Sequence, residues 1–414
     1  SFPFALVLEQ SKNEHLLYNN LVKHGKVVLW QTELESLSQD SDCVKATLKK
    51  SDGKTFEVEA KYLVGCDGAS SPTRHFLNLD FGGSTIPRLF YVADIEMKIK
   101  LPHDVLNVTL GDNAFVLLMP MKGENHWRLI GNLPDDADGD GEVSEEEIVA
   151  KVKQLVKMPL DISKFHWLSN YKIHSRHVEK FNKDRCFLAG DAAHIHSPAG
   201  GQGMNTGIQD AYNLAWKIAF VLKGLAGKKL LETYNEERLA NAIRLLKTTD
   251  QAFELFTADK WYLRILREKV LPTLARYALQ LNVVKRFIFP TLSQIGISYD
   301  KNSLSKHEGD SSFKIKAGNR FPYFEIEGEN FFNYLREPKF HFISFGNGSI
   351  ADTEKTKYAE EIDFQIFPLT VEIERIFATD KPFSVLVRPD NYIAFLSKNN
   401  SAADIENYFA NHIK

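Results

Sequence analysis

The sequence predicts an α/β fold that carries a second, antiparallel sheet and a separate small α/β unit toward its C-terminal end. Three observations support that class. Two short apolar runs, Tyr62–Gly65 and Cys186–Ala189, each stop at a turn rich in Asp and Gly, and each turn leads into a helix pattern. That is the strand–turn–helix order of a buried parallel sheet. Between them, residues 86–134 are dense in strand formers, and residues 301–414 again mix strand and helix patterns. The chain has 414 residues, enough for roughly two or three domains with ample cores. Its net charge of -3 argues against a nucleic-acid partner. The three cysteines, Cys43, Cys66 and Cys186, show neither paired nor metal-ligand spacing, and a reducing, cytoplasmic setting is expected. No apolar run approaches membrane-spanning length, and the opening residues carry no signal-peptide pattern.

In chain order, Leu16, Leu17, Leu21 and Val22 follow helical spacing within a helix expected over Asn13 to Lys23. Val44 to Leu48 and Thr55 to Val58 alternate around Ser51-Asp52-Gly53, a hairpin signal. The run Tyr62–Gly65 is expected to be a buried strand that ends at Cys66-Asp67-Gly68, where Asp67 would turn the chain and accept hydrogen bonds. Phe90 to Ile99, Val105 to Leu110, Phe115 to Met119 and Trp127 to Gly131 read as an antiparallel sheet, the expected floor beneath a substrate. Tyr91, Phe115 and Arg128 lie on it, with no face assigned to any of them.

Asp136–Glu147 reads two ways. Its acids at alternate positions, a glycine and a closing Glu match a calcium loop. It also fits an acidic surface loop in which Ser144 and Glu147 form a capping box for a helix over Ile148 to Val156. The basic and aromatic stretch from Lys260 to Arg286 likewise fits a solvated face of packed helices or a membrane-surface helix, the former being the common case.

The segment from Arg185 to Arg238 carries the most chemistry. The strand Cys186–Ala189 runs into Gly190-Asp191, and a loop with Pro198, Gly200, Gly201 and Gly203 leads to a helix from Asn205. Gly190 lets the backbone approach a ligand, and Asp191 offers an acceptor for sugar-like hydroxyls. Ile208, Ala211, Ala215, Ile218 and Leu222 follow helical spacing and are expected to be the buried face of that helix. Its first N–H groups and positive dipole end would point back at the loop. His194 and His196 read as packing or hydrogen-bonding residues rather than proton carriers, and His174 and Arg176 as weaker candidates for substrate or loop contacts.

Gly190-Asp191 and its downstream loop resemble the second flavin motif of the single-component FAD-dependent aromatic hydroxylases, the p-hydroxybenzoate and phenol hydroxylase group. The stretch from Tyr62 to Arg74 is similar to that family's Asp-Gly motif, which lies by the FAD pyrophosphate and the path of the nicotinamide cofactor. Arg74 would then offer phosphate a charged partner. Gly318–Pro322 and Phe383–Ala394 resemble the entry and closing hairpin of the thioredoxin-like domain found in phenol-hydroxylase-type members. No Cys follows Cys186, so thiol–disulfide chemistry is not available there. The family opens on a strand and a G-x-G-x-x-G turn. Here Ser1–Gln10 resembles a later point in that first domain, so the first βαβ unit is expected to be missing, and with it the cradle for the pyrophosphate.

The resemblance therefore implies a Rossmann-like FAD/NAD(P)-binding domain without its first βαβ unit, an antiparallel-sheet substrate domain and a C-terminal thioredoxin-like domain. The expected divisions are 1–84 and 165–238 for the FAD-binding domain, 85–164 for the substrate sheet and helix, 239–300 for a helical segment and 301–414 for the last domain. It implies a flavin-dependent monooxygenase that uses FAD, NAD(P)H and O₂ to hydroxylate a phenolic or polyketide-like aromatic substrate. A homodimer is one expectation for its assembly. The residues expected to hold the cofactor are Gln10, Asp67, Gly68, Gly190, Asp191, Pro198, Gly200, Gly201, Gly203, Met204 and Asn205. Pro198, with its flanking backbone, would line the side on which oxygen adds. Two other readings stand beside this one: a non-catalytic remnant or fragment acting as a binding module, and a flavoenzyme that reduces or halogenates.

Overall fold

The structure, a computed structural model, describes residues 8–111, 114–132, 143–197, 201–257, 289–307, 310–346, 352–398 and 402–414, with isolated positions between 262 and 284. The proposed cofactor residues Pro198 and Gly200, the first part of the calcium-loop motif and most of the basic stretch from Lys260 to Arg286 lie outside the described residues.

The first helix, α1, spans Gln10–Lys23, three residues earlier than the apolar spacing suggested. Leu16, Leu17, Leu21 and Val22 form its apolar stripe as expected, but all four are exposed. Strands β1 (Thr32–Gln39), β2 (Val44–Lys50) and β3 (Thr55–Ala60) form an antiparallel meander, and the predicted turn at Ser51-Asp52-Gly53 joins β2 to β3. The short β4 (Leu63–Gly65) leads into α2 (Pro72–Phe76). The expected burial of β4 holds only in part, because Val64 sits on the outer face of its sheet and is exposed.

A six-stranded sheet follows, built from β5 (Phe81–Ile99), β6 (Asn107–Leu110), β7 (Phe115–Pro120), β8 (His126–Asn132), β9 (Leu160–Val178) and the two-residue β12 (His194–Ile195). Its order is β12-β9-β5-β8-β7-β6, antiparallel throughout. Strands β5 and β9 run continuously across the expected divisions at 84/85 and 164/165, so the six-stranded sheet is not separated from the preceding part of the chain there. Helix α3 (Glu145–Leu155) caps one face, its first turn closed by the capping box read from the sequence. Ser144 Oγ accepts from the Glu147 N–H at 3.2 Å, and Glu147 Oε2 accepts from the Ser144 N–H at 2.9 Å, an arrangement that stabilises a helix by about 1 kcal/mol.

Strands β10 (Asn182–Lys183) and β11 (Cys186–Leu188) return the chain to β4, and β11 pairs parallel to it in register Leu188 opposite Gly65. Helix α4 (Gly203–Leu222) and the long α5 (Glu232–Thr257) pack against this small sheet. Tyr234 on α5 donates to the Leu188 carbonyl at 2.7 Å. The expected buried face of α4 is wrong. Ile208, Ala211, Ala215 and Leu222 are exposed, and only Ile218 is partly covered. The buried stripe is Thr206, Asp210, Asn213, Lys217, joined by Leu214, Trp216 and Phe220. The polar residues turn inward because α5 and the C-terminal unit present charges and hydrogen-bonding groups to them.

The C-terminal part begins with a hairpin, β13 (Glu325–Ile326) and β14 (Glu329–Asn330). A four-stranded sheet of β15 (Phe340–Phe345), β16 (Ile362–Phe367), β17 (Phe383–Val387) and β18 (Ile393–Ser397) follows, with α6 (Asp352–Lys357), α7 (Val371–Phe377) and α8 (Ala402–Tyr408). The sheet order is β16-β15-β17-β18; β15 and β16 are parallel, and β17 and β18 form the closing hairpin expected from the sequence. Its aromatic core includes Phe321, Phe331, Phe345 and Phe383. Trp216 and Phe220 of α4 pack into its other apolar cluster beside Phe340 and Tyr408, so the unit is joined to the rest by a shared core. Among the described residues no helix is long and apolar enough to cross a membrane.

Candidate functional site

The parallel pair β4 and β11 ends at one level, and both predicted turns emerge there. Ligands of open parallel sheets bind outside the carboxyl ends of the strands, so this edge is where a site is expected. The Ala189 N–H donates to the Gly65 carbonyl at 3.0 Å and fixes the two ends side by side. In the first turn, Asp67 accepts from Ser71 Oγ at 2.5 Å and from the Thr73 N–H at 2.8 Å. Partial burial opposes its charge, but these hydrogen bonds hold its carboxyl below the usual range. Gly68 follows with a left-handed backbone. In the second turn, Gly190 adopts φ +61°, a conformation that is strained for any residue with a Cβ. It opens a 3₁₀ turn in which Asp191 is exposed, its carboxylate facing away from the core.

Arg74 corrects an expectation. It is not free for phosphate. Its guanidinium is buried, donates to Ala192 O at 3.1 Å and Ala69 O at 2.7 Å, and lies 4.0 Å over the Phe81 ring. It latches the first turn to the second. Burial pulls its pKa down, against the pull of Asp67.

Helix α4 starts at Gly203, two residues before the expected start, so Gly203, Met204 and Asn205 form its first turn. The helix lies against the second turn of the site through two glycines, Gly207 and Gly190. A Cβ on Gly207 would sit 3.3 Å from Gly190 Cα. Gly201, just ahead of the helix, has φ +62°. Gln10 stands at the start of α1, where it donates to Glu14 at 3.0 Å. Asn13, on the next turn, reaches Met204 Sδ at 3.6 Å. The two turns with Asp67, Gly68, Gly190 and Asp191 thus meet the start of α4 with Gly203, Met204 and Asn205, just after Gly201, while Gln10 bonds only Glu14 of its own helix among the described residues.

His194 and His196 make the packing and hydrogen-bonding contacts expected of them. His194 is buried, stacked 5.6 Å from the Phe181 ring, and its Nε2 lies 2.7 Å from Asp210 Oδ2. His196 bonds the Ser197 carbonyl through Nδ1 at 2.7 Å, and burial depresses its pKa. His174 Nδ1 lies 2.8 Å from Thr85 Oγ1, which also accepts from Arg176 at 3.0 Å.

Strand register assigns the sheet faces. Tyr91 and Val116 both lie opposite Gly131, on the face covered by Ile148 and Val152 of α3. Tyr91 therefore lies on the face covered by α3, where burial raises its pKa. Phe115 packs with Phe90, Tyr171 and Ile173 on the other face. Arg128 lies opposite Asp94 on that face, and the pair is bidentate, Nε to Oδ1 at 2.7 Å and NH2 to Oδ2 at 2.9 Å. Asp94 raises the Arg128 pKa further, and Glu9 beside α1 adds to that field.

Sequence reading missed Gly207, Asp210, Arg238 and Tyr299. Asp210 accepts from the Gly190 N–H at 3.0 Å, His194 at 2.7 Å and Arg238 Nε at 2.6 Å. Burial opposes its charge, yet Arg238 and His194 hold its pKa below the usual value. Thr206, Asp210, Asn213 and Lys217 recur at helical spacing, the one signal in the sequence for a buried polar stripe.

Comparison with known proteins agrees with this geometry. The family model described as FAD binding domain matches residues 1–249. The chain is 32% identical over 326 residues to 6-methylpretetramide 4-monooxygenase of Streptomyces rimosus, covering 77% of this chain and 57% of that protein. It is 33% identical over 283 residues to the uncharacterized aromatic compound monooxygenase YhjG of Bacillus subtilis, covering 67% of this chain and 56% of that protein. The chain thus spans less than two thirds of the length of these two curated relatives. The solved structure of CabE, an aromatic hydroxylase from angucycline biosynthesis, superposes with a TM-score of 0.79 at 28% identity, covering 98% of this chain and 80% of that one.

Proposed function

The chain belongs to the FAD-binding-domain family, whose model matches residues 1–249, and from that premise we propose that it forms part or all of a flavin-dependent monooxygenase. The enzyme would hydroxylate a phenolic or polyketide-like aromatic substrate with NAD(P)H and O₂. One observation carries the reading: β4 and β11 end together at an Asp-Gly and a Gly-Asp turn, latched by Arg74, with the N-terminus of α4 packed against them.

The residues present fit a flavin. Asp191 is an exposed carboxylate on a turn whose glycine allows close backbone approach, suited to the hydroxyls of a ribityl chain. Gly203, Met204 and Asn205 offer the unpaired N–H groups and the positive dipole end of a long helix, which favour negative charge on a carbonyl-rich ring edge. Asp67, Gly68, Gln10, Gly201, Pro198 and Gly200 complete the proposed cofactor residues, and the role proposed for Pro198 is on the side where oxygen adds. Bound FAD, reduced by NAD(P)H, would supply the activation of O₂, one oxygen atom going to an electron-rich ring and the other leaving as water. The chain's own residues orient the partners. The face of the antiparallel sheet opposite α3 would provide the floor, with Phe115 and Tyr171 as apolar surface and Arg128, fixed by Asp94, as the charged group beside an acidic phenol. In domain terms, 1–84 with 165–238 is the Rossmann-like FAD-binding part and 85–164 the substrate part. The proposed helical segment is 239–300, in which α5 is described as far as Thr257, and 301–414 is proposed as the thioredoxin-like domain without its cysteines. That one relative is named for an aromatic compound and another for 6-methylpretetramide supports the proposed substrate class.

The test is NAD(P)H consumption by the purified yellow protein across a panel of phenols and polycyclic aromatics, with ¹⁸O₂ as oxidant. Substrate-dependent consumption with one labelled oxygen in the product is expected. Binding of FAD without any labelled product from the panel would refute the hydroxylase assignment.

A further inference from the structure

We infer that Asp210 and Arg238 are positioning residues for the Gly190–Asp191 turn, and that the C-terminal unit sets their placement through Tyr299 and Arg388. The inference deepens the flavin reading of that turn. It begins at one carboxylate. Asp210 Oδ2 accepts from the Gly190 N–H at 3.0 Å and from His194 Nε2 at 2.7 Å, and Oδ1 accepts from Arg238 Nε at 2.6 Å. Asp210 and Arg238 have no solvent exposure at all. The amide of Gly190, one residue before the exposed Asp191, is therefore fixed by a carboxylate that has no freedom of its own.

Arg238 stands at a fork. Besides Asp210, it donates to Thr206 O in the first turn of α4 at 3.3 Å and to the Tyr299 hydroxyl at 2.9 Å. Tyr299 belongs structurally to the C-terminal unit. Its N–H donates to Gly318 O at 2.8 Å, its ring lies 4.3 Å from that of Tyr392, and the Arg388 guanidinium lies 5.5 Å over it. Glu237, the residue before Arg238, takes Arg388 from the closing hairpin and Lys217 from α4. Asp390 takes Arg388 as well, and accepts from Trp216 Nε1 at 3.1 Å and Asn213 at 3.3 Å. Three buried cations, Lys217, Arg238 and Arg388, balance three buried anions, Asp210, Glu237 and Asp390. Buried charges hold their geometry only while every partner is in place. A shift at the hairpin therefore moves Tyr299 and Arg238, and through Asp210 it moves the Gly190 amide.

Tyr299→Phe removes only the hydroxyl, whereas Asp210→Asn removes the charge and turns one of the two acceptor oxygens into a donor. Each variant would be titrated with FAD, its bound-flavin absorption spectrum recorded, and amide hydrogen exchange followed in a peptide that contains Gly190. We expect Asp210→Asn to weaken FAD binding by about tenfold or more, with a shifted flavin spectrum and faster exchange at Gly190. Tyr299→Phe should act in the same direction by about threefold, although its site lies outside the turn. Arg388→Lys should retain more of the affinity than Arg388→Met. Parental affinity, spectrum and exchange in both Tyr299→Phe and Asp210→Asn would overturn the inference. If Asp210→Asn does not fold, Tyr299→Phe decides alone. If the parent binds no FAD, the flavin reading fails, while exchange at Gly190 in the apoprotein still tests the positioning.

Discussion

Replacing Gly207 with alanine separates the stability of the fold from the geometry of the site. Gly207 is the fifth residue of α4, and an alanine in a helix interior is favoured over glycine by about 1 kcal/mol. Opposing that gain, the new Cβ would meet Gly190 Cα at 3.3 Å, a contact relieved only if the two backbones part by a few tenths of an ångström. Overpacking of this kind costs about 1–3 kcal/mol. The net effect on stability thus runs from near zero to a loss of about 2 kcal/mol. The displacement falls on the turn that carries Asp191. A turn moved off its ligand by that distance should lose about 0.5–1.4 kcal/mol of binding, up to tenfold in FAD affinity. Urea unfolding measures the first quantity and fluorescence titration with FAD the second. Gly207→Val, with its bulkier branched side chain, should lower both. A Gly207→Ala protein that binds FAD with parental affinity, whatever its stability, would refute the idea that the two glycines set the turn against the helix.

Asp191→Ala should leave thermal stability within about 0.5 kcal/mol of the parent, because the side chain is exposed, while FAD affinity falls by about tenfold or more with the lost charged acceptor; unchanged affinity would remove Asp191 from the site. Arg74→Met leaves the carbonyls of Ala69 and Ala192 unpaired and should cost about 2–4 kcal/mol in urea unfolding, whereas a loss below about 0.5 kcal/mol would mean that the latch is not structural. His196 is held below its ordinary value of 6.5 by burial, so the unfolded chain takes up the proton first. Its contribution to stability is present above pH 6.5 and is lost as pH falls from there through the depressed value, and His196→Gln should flatten that limb of a stability–pH curve. Arg128→Met should raise KM for an acidic phenol while FAD affinity stays at the parental level; a fall in FAD affinity instead would place Arg128 on the cofactor.

Both turns were legible because Asp and Gly cluster where an apolar run meets a helix pattern, an arrangement with few other uses. The hairpins at Ser51-Asp52-Gly53 and Phe383–Ala394 and the Ser144–Glu147 box were legible because their determinants are local. The face of α4 was not. Apolar spacing pointed to Ile208, Ala215 and Leu222, but burial follows partners, and those of Asp210, Asn213 and Lys217 come from α5 and the C-terminal hairpin. The role of Arg74 was hidden for the same reason, since its acceptors are backbone carbonyls, one of them on the other turn. Faces of Tyr91 and Arg128 required the register of β5 against β8, which alternating sequence alone does not fix.

Amide hydrogen exchange of the protein with and without saturating FAD, mapped along the chain, bears most directly on where the flavin sits. Slowed exchange concentrated in residues 65–74 and 189–207 is expected. Protection that misses both stretches, or that is confined to the C-terminal sheet, would contradict the placement of the cofactor at the joined ends of β4 and β11.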